Sequence, residues 1–506
     1  MTNPNVLIAG AGPTGLVLAL WLTNQGVSVK IIDKAAEPGT TSRALAVHAR
    51  TLELYRQMHL DKPVVEKGYT VPGARLWLGG KEEARVPFGE LVSDLTPYGF
   101  LHIYPQDEHE RLLIAKLESV GVQVERPVEL VGFTQTASKV EARLRGHDGA
   151  ESHVTADYIA GCDGARSRVR EEMGTGFPGG TYAQIFYVAD VEGDGPAFNG
   201  DLNVELDQSD FLAIFPLAHR ERIRLIGAIR LDEGKDLDKL TFDDIKDRAA
   251  NYLKLKVRKV NWFSTYHVHH RVTDQFRKGR AFLLGDAAHI HTPVGGQGMN
   301  TGVGDAINLA WKLKAVLAGN ASDAILDTYE AERRAFALRL VKTTDYAFNF
   351  VARDGRIAQL GRERLAPIIL PNLVKFDAVR EFMFRTLSQI AINYRDKGLD
   401  EGHANSVHGG DRLPWVKYDG TDNYVPLEEM VWQVHVCGTA KPSLRDWCQA
   451  HSVPLHVFAW RNAFDDAGLE QDAIYLMRPD SYVGLASSDQ DTKALDRYLA
   501  KFAIRP

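Results

Sequence analysis

The chain predicts an α/β fold: a Rossmann-like sheet, interrupted by a β-rich insertion and followed by a small separate α/β domain. Three observations carry the prediction. A wholly apolar run, Val6 to Ala9, leads straight into Gly10-Ala11-Gly12-Pro13-Thr14-Gly15. Helical spacing gives way to extended stretches between Thr181 and His270 and then returns. A new strand and helix rhythm begins after the polar, glycine-containing stretch from Lys397 to Gly410.

Each element follows from its pattern. Val6 to Ala9 is apolar throughout, as a strand buried on both faces of a parallel sheet must be. Leu16 to Leu22 reads as a buried helix, and Val27 to Ile32, ending at Asp33, completes a βαβ unit. Arg43 to Leu60 reads as helical after a loop containing Pro38 and Gly39, and Gln106 to Ser119 has amphipathic spacing with charges outward. Ile185 to Val191, Phe211 to Pro216 and Ile223 to Ile229 read as strands of the insertion. Helical patterning resumes at Met299 to Leu317 and from Ala324 to about Val351. The last domain reads strand Trp432 to Val436, helix Ser443 to Ala450, strands Leu455 to Ala459, Ala473 to Arg478 and Tyr482 to Ala486, and helix Asp491 to Phe502. No internal repeat or low-complexity tract is visible.

Composition narrows the function. The 506 residues suggest two to four domains at roughly 100 to 200 residues each. With 66 acidic against 60 basic residues, a net charge of −6 and no basic cluster, no nucleic-acid partner is expected. Cys162, Cys437 and Cys448 form no CxxC pair and no disulfide framework, which fits the reducing cytoplasm. No apolar run reaches the roughly 20 residues of a membrane helix, and Met1 leads to a strand without a charged leader, so neither spanning nor secretion is expected. No metal cluster of convincing spacing appears. A small-molecule partner remains.

The glycine motif supplies a chemistry. Gly10 permits a tight turn, Gly12 lets backbone approach a pyrophosphate, Gly15 allows close helix packing, and the helix N-terminus attracts the anion. Pro13 and Thr14 lie inside this loop. Asp33, at about the 20-residue spacing expected, accepts from a ribose hydroxyl, with Lys34 beside it as a further contact. Farther on, Arg280-Ala281-Phe282-Leu283-Leu284-Gly285-Asp286-Ala287-Ala288-His289 sets a strand against a Gly-Asp turn. Pro293-Val294-Gly295-Gly296-Gln297-Gly298-Met299-Asn300-Thr301-Gly302 follows it, and Cys162-Asp163-Gly164-Ala165-Arg166-Ser167-Arg168-Val169-Arg170 lies between the first and second of these motifs.

With these residues the sequence resembles the group A flavoprotein monooxygenases, the aromatic hydroxylases related to para-hydroxybenzoate hydroxylase and phenol hydroxylase. The three motifs stand in that family's order and spacing. The resemblance implies FAD, with Arg43 and Gln106 at positions that contact it and Asp286, after Gly285, facing the ribityl chain. It also implies that Gly296, Gly298 and Met299 line the isoalloxazine, with Asn300 beside the pyrimidine ring and the Pro293 carbonyl lining the active site. Asp163 and Gly164 match the fingerprint used for the FAD pyrophosphate and for transient NADPH or NADH. Backbone amides after Gly295 suit the negative charge of a reduced flavin.

The resemblance further implies segments 1–175 and 276–400 as the FAD-binding domain, 176–275 as a β-rich substrate-binding domain, and 405–506 as a thioredoxin-like domain for folding support or homodimer packing. The activity implied is oxidation of NAD(P)H, reaction with O2 to a flavin C4a-hydroperoxide, and hydroxylation of a phenolic or polycyclic aromatic substrate. Alternatives on the same cofactor are a Baeyer–Villiger or antibiotic-modifying monooxygenase, or a flavin-binding sensor without turnover. In Tyr266-His267-Val268-His269-His270-Arg271 an extended backbone separates Tyr266, Val268 and His270 from His267, His269 and Arg271. Tyr266 and His267 are therefore candidates to act on a substrate hydroxyl, against a structural reading as an edge strand. His289 and His291, beside a glycine loop, read more readily as structural donors than as catalysts. Phe211 and Phe215 are candidate cavity walls.

Overall fold

The computed structural model describes residues 3–40, 44–88, 94–206, 211–218, 221–229, 240–247, 253–352 and 377–506. Its first sheet has six strands in the order Arg277–Lys278, Ala281–Leu283, Tyr158–Gly161, Val6–Ala9, Val29–Ile32, Val124–Glu125. All neighbours are parallel except the Arg277–Lys278 hairpin. Val6–Ala9 and Tyr158–Gly161 lie at its centre and are buried along their whole length, which is why they carry no alternation. Helix Pro13–Asn24 packs between Gln297–Leu317 and Gln106–Ser119, so Leu16 to Leu22 are fully covered and the helix shows no polar stripe.

The stretch read as one helix from Arg43 to Leu60 is divided. Arg43 lies outside the described residues, Ala46–Val47 is a strand antiparallel to Leu101–Ile103, and helices run over Ala49–Arg56 and Asp61–Lys67. Local spacing could not reveal the strand, because its partner is remote in sequence and supplies the burial that fixes it.

The second sheet has eight strands: His289–Ile290, Lys256–Val272, Gly179–Asp194, Arg222–Ile229, Phe211–Pro216, Leu202–Leu206, Gly73–Leu78 and Lys81–Pro87. Only Leu202–Leu206 with Gly73–Leu78 is parallel. Two of its strands come from before residue 100 and one from the loop after the Gly-Asp turn, so the sheet is stitched to the nucleotide-binding sheet at both ends of the chain segment. Its two long strands exceed the short stretches legible in sequence, because register shifts after Asp190 and Glu192 break the period-two pattern.

Helices Gln297–Leu317 and Asp327–Ala352 pack behind the first sheet. The C-terminal unit has a four-stranded sheet, Leu455–Phe458, Gln433–Cys437, Ile474–Met477, Val483–Ser487, in which only the first pair is parallel. Helices Pro442–Ala450 and Thr492–Ala500 lie against it. Trp432 meets Trp311 of the long helix edge to face, with ring centroids 5.6 Å apart, so the apolar core runs on into this unit.

Candidate active site

The strand ends and glycine turns converge on one cavity of about 720 Å³. Its floor is the nucleotide-binding side: Gly12, Pro13, Thr14, Gln106, Gly164 and Asp286. A second wall is the segment Ala44 to Ala46 together with Pro293 and the start of the long helix, Gly296 to Met299. The roof is the eight-stranded sheet, with Phe215, Ile226, Trp262, Ser264, Tyr266, His267 and Val268. Tyr266 packs on Phe186 at 6.0 Å, and Val268 is buried against Phe186 and Ala228. His267 is exposed on the opposite face of its strand yet reaches the cavity rim. His269 is held by Thr181 Oγ1 at 2.7 Å. The side chain of Phe211 lies outside the described residues.

The glycines divide by task. A Cβ on Gly10 would lie 2.2 Å from the Cys162 carbonyl oxygen, and one on Gly15 would lie 2.0 Å from the Gly10 carbonyl oxygen. Both positions are closed by the chain itself. A Cβ on Gly12 or on Gly164 would meet nothing within 4 Å. That open space faces the cavity. The helices beginning at Pro13 and at Gln297 both lack a side-chain N-cap, so two sets of first-turn N–H groups are directed at the same volume. Open backbone plus two positive helix ends is the donor set a dinucleotide pyrophosphate and an anionic ring require, and the residues present fit FAD on that ground.

Other expected contacts have structural partners. Asp33 accepts from Ala11 N at 2.7 Å and Ala35 N at 2.8 Å, and Arg126 stands 3.4 Å from it. Arg126 also reaches the carbonyl of Ala11, so it buttresses the glycine loop; as a lone arginine after a strand it gave no signal in sequence. Lys34 is exposed beyond the strand end, outside the cavity lining. Asp163 accepts from Arg168 N at 2.7 Å and Val169 N at 3.2 Å, and burial pushes its carboxyl above the ordinary range despite these donors. Gly285 N donates to Asp305 at 3.0 Å, and the same carboxylate receives His289 Nε2 at 2.7 Å and Arg333 Nε at 2.6 Å.

Asn300 sits behind the cavity wall. Its Nδ2 donates to the carbonyls of Ala46 and Gly296, both at 2.9 Å, while its Oδ1 accepts from His48 N at 2.9 Å and Thr51 Oγ1 at 2.7 Å. All four hydrogen-bonding positions are taken by the chain, so Asn300 ties the Ala46 segment to the helix start. His48 Nε2 donates to the Gly296 carbonyl at 3.1 Å, and burial holds its imidazole down to about 4. His291 lines the cavity with its Nδ1 donating to the Thr292 carbonyl, and burial, with His289 adjacent, lowers it likewise to about 4. Both rings stay neutral at physiological pH. No group of three or more His, Cys, Asp or Glu suited to a metal occurs among the described residues.

Comparison with known proteins agrees with this geometry. The family model described as "FAD binding domain" matches residues 3–344. The 6-methylpretetramide 4-monooxygenase of Streptomyces rimosus is 36% identical over 423 residues, covering 80% of this chain and 73% of that protein. A flavin-dependent monooxygenase of Mycobacteroides abscessus is 30% identical over 98% of this chain and 99% of its own. The solved anhydrotetracycline hydroxylase from Streptomyces rimosus superposes with a TM-score of 0.81 at 27% identity, covering 100% of both chains. The chain belongs to the FAD-binding group A flavin hydroxylases and is an FAD-dependent monooxygenase.

Proposed function

We propose that the protein hydroxylates a phenolic or polycyclic aromatic substrate at the expense of NADPH or NADH and O2. The observation that carries this reading is the continuity of one cavity from the open glycine loop to the aromatic roof of the second sheet. Bound FAD supplies the hydride acceptance and oxygen activation. The chain supplies the rest. Phe215, Trp262 and Tyr266 offer ring faces on which a flat substrate stacks. The Pro293 carbonyl accepts a hydrogen bond from the substrate hydroxyl, the His267 imidazole is suited to receive its proton, and the Tyr266 hydroxyl is suited to hydrogen-bond the same oxygen. Gly12 and Gly164 leave room for the pyrophosphate and for a transient nicotinamide. Arg43 and Lys34 are assigned to the outer part of the cofactor, Gln106 and Asp286 to its inner part, and Gly298 and Met299 to the ring.

The same reading takes 1–175 and 276–400 as the FAD-binding unit, 176–275 as the core of the substrate-binding unit and 405–506 as a thioredoxin-like unit. The mixed four-stranded sheet flanked by helices supports the last assignment. Burial pushes the Cys437 thiol to about 12 and Cys448 to about 11, which argues against thiol exchange there. Three unbridged cysteines support the cytoplasm as compartment, and no helix among the described residues is long and apolar enough to cross a membrane. A homodimer is the proposed assembly, which sedimentation reads directly.

Two outcomes are expected. Purified protein should consume NADPH or NADH faster when a phenol, hydroxybenzoate or aromatic polyketide is added, and the product should carry one additional oxygen. Flavin-loaded protein that no member of the panel stimulates would overturn the substrate class. Asp286→Ala should weaken FAD binding by about 10-fold or more, the worth of a hydrogen bond to a charged group. Flavin fluorescence titration checks this, and equal affinity for parent and variant would remove Asp286 from the site.

A further inference from the structure

We infer that the C-terminal unit is the outer half of a clamp on the flavin site, with Arg412 and Glu53 as positioning residues that hold the wall segment Ala44 to His48 through helix Ala49–Arg56. The inference rests on FAD lying along that wall. The helix has two working faces. On the inner one, His48 and Thr51 are fastened to Asn300 at the start of the long helix, directly behind the cavity. On the outer one, Thr96 Oγ1 donates to Glu53 at 2.6 Å, and the other anchoring partners come from the far end of the chain.

Glu53 is fully buried and receives Arg412 through two hydrogen bonds, Nε at 2.8 Å and Nη2 at 2.5 Å. Arg50 donates to the Asp480 carbonyl at 3.1 Å and to Ser481 Oγ at 3.0 Å. One turn on, Gln57 Nε2 donates to the carbonyls of Leu427 and Pro479. Asp480 also accepts Trp311 Nε1 of the long helix at 2.9 Å, so both elements that frame the cavity wall are gripped by one loop. A folding support would need only apolar burial, which the Trp311–Trp432 contact already gives. Paired buried charges, by contrast, accept one geometry, so they fix where the helix sits rather than merely covering it.

The test uses the full-length protein loaded with FAD. Arg412→Met leaves Glu53 with Arg50, whose Nη1 lies 3.1 Å away, as its cation, so Glu53→Gln with Arg412→Met is made alongside it to remove both charges of the pair while Arg50 keeps the Asp480 carbonyl and Ser481. FAD dissociation, followed by the return of flavin fluorescence well below the unfolding temperature, is expected to accelerate by about 5- to 150-fold, the usual range of coupling between sites. The KM for substrate should rise with it. Arg412→Lys, which keeps the charge, should recover part of the loss. Trp447→Phe removes a 2.7 Å hydrogen bond to Asp496 inside the C-terminal unit, away from the clamp, and should lower stability while leaving FAD dissociation unchanged. The inference is overturned if a folded double variant releases FAD at the parental rate, or if Trp447→Phe accelerates release equally. Failure of the parent protein to hold FAD would instead refute the cofactor reading on which it rests.

Discussion

Gly12→Val is expected to give a folded, colourless protein. The position has φ −78 and a notional Cβ there meets nothing within 4 Å, so a side chain there enters open space without backbone strain. The space it fills is the approach of the pyrophosphate to the first-turn amides of helix Pro13–Asn24. Each 1.4 kcal/mol of clash is tenfold in affinity, so a loss of about 100-fold or more is expected. The contrast is with its neighbours in the motif. At Gly10, φ +102 combines with a 2.2 Å approach to backbone, and at Gly15 the approach is 2.0 Å. Alanine at either should abolish folding rather than binding. Visible flavin absorbance after reconstitution, read beside circular dichroism, separates these classes. A Gly12→Val protein as yellow as its parent would mean that the pyrophosphate lies elsewhere.

That separation marks how far sequence could be read. The motif announces a strand, a turn and a helix, because glycine spacing encodes local backbone geometry. It does not say which glycine faces ligand, since that depends on what stands opposite, and for Gly10 it is Cys162, far along the chain. Asn300 shows the same limit: its place near the helix start is legible, but the four chain partners that saturate it belong to Ala46, His48, Thr51 and Gly296. The alternation at Tyr266 to Arg271 puts Val268 and Tyr266 on one face, yet His267 and His269 from the other also line the cavity. The sheet roof was only partly visible, since Trp262 and Ser264 carry no motif and reach the cavity through strand pairing. The charges of the clamp were the least legible. Glu53 and Arg412 are 359 positions apart, and a lone glutamate on a helix ordinarily marks a solvated face.

Asp305 is where a second large effect is expected. It is wholly buried in helix Gln297–Leu317, with Arg333, His289 and the amide of Gly285 all directed at its carboxylate. Burial alone would raise its pKa, but the Arg333 guanidinium and these donors outweigh it and hold the carboxyl below its ordinary value. Asp305→Asn keeps the shape and removes the charge, which leaves Arg333 buried without its paired carboxylate, beside the Tyr394 hydroxyl, the Thr301 carbonyl and the Phe336 ring. Breaking one side of such a pair costs about 3–5 kcal/mol, and the Gly285–Asp286 turn loosens with it. Asp305→Asn with Arg333→Met, which removes both charges, should regain much of that cost. The sign with pH follows from the lowered carboxyl: the group stabilises the fold fully above the ordinary carboxylate range near pH 4, and the contribution is lost as pH falls below it. The difference in urea midpoint between parent and Asp305→Asn should therefore narrow as pH falls from neutral through the lowered carboxyl pKa. Midpoints that already coincide at neutral pH would show that Asp305 does not hold the turn.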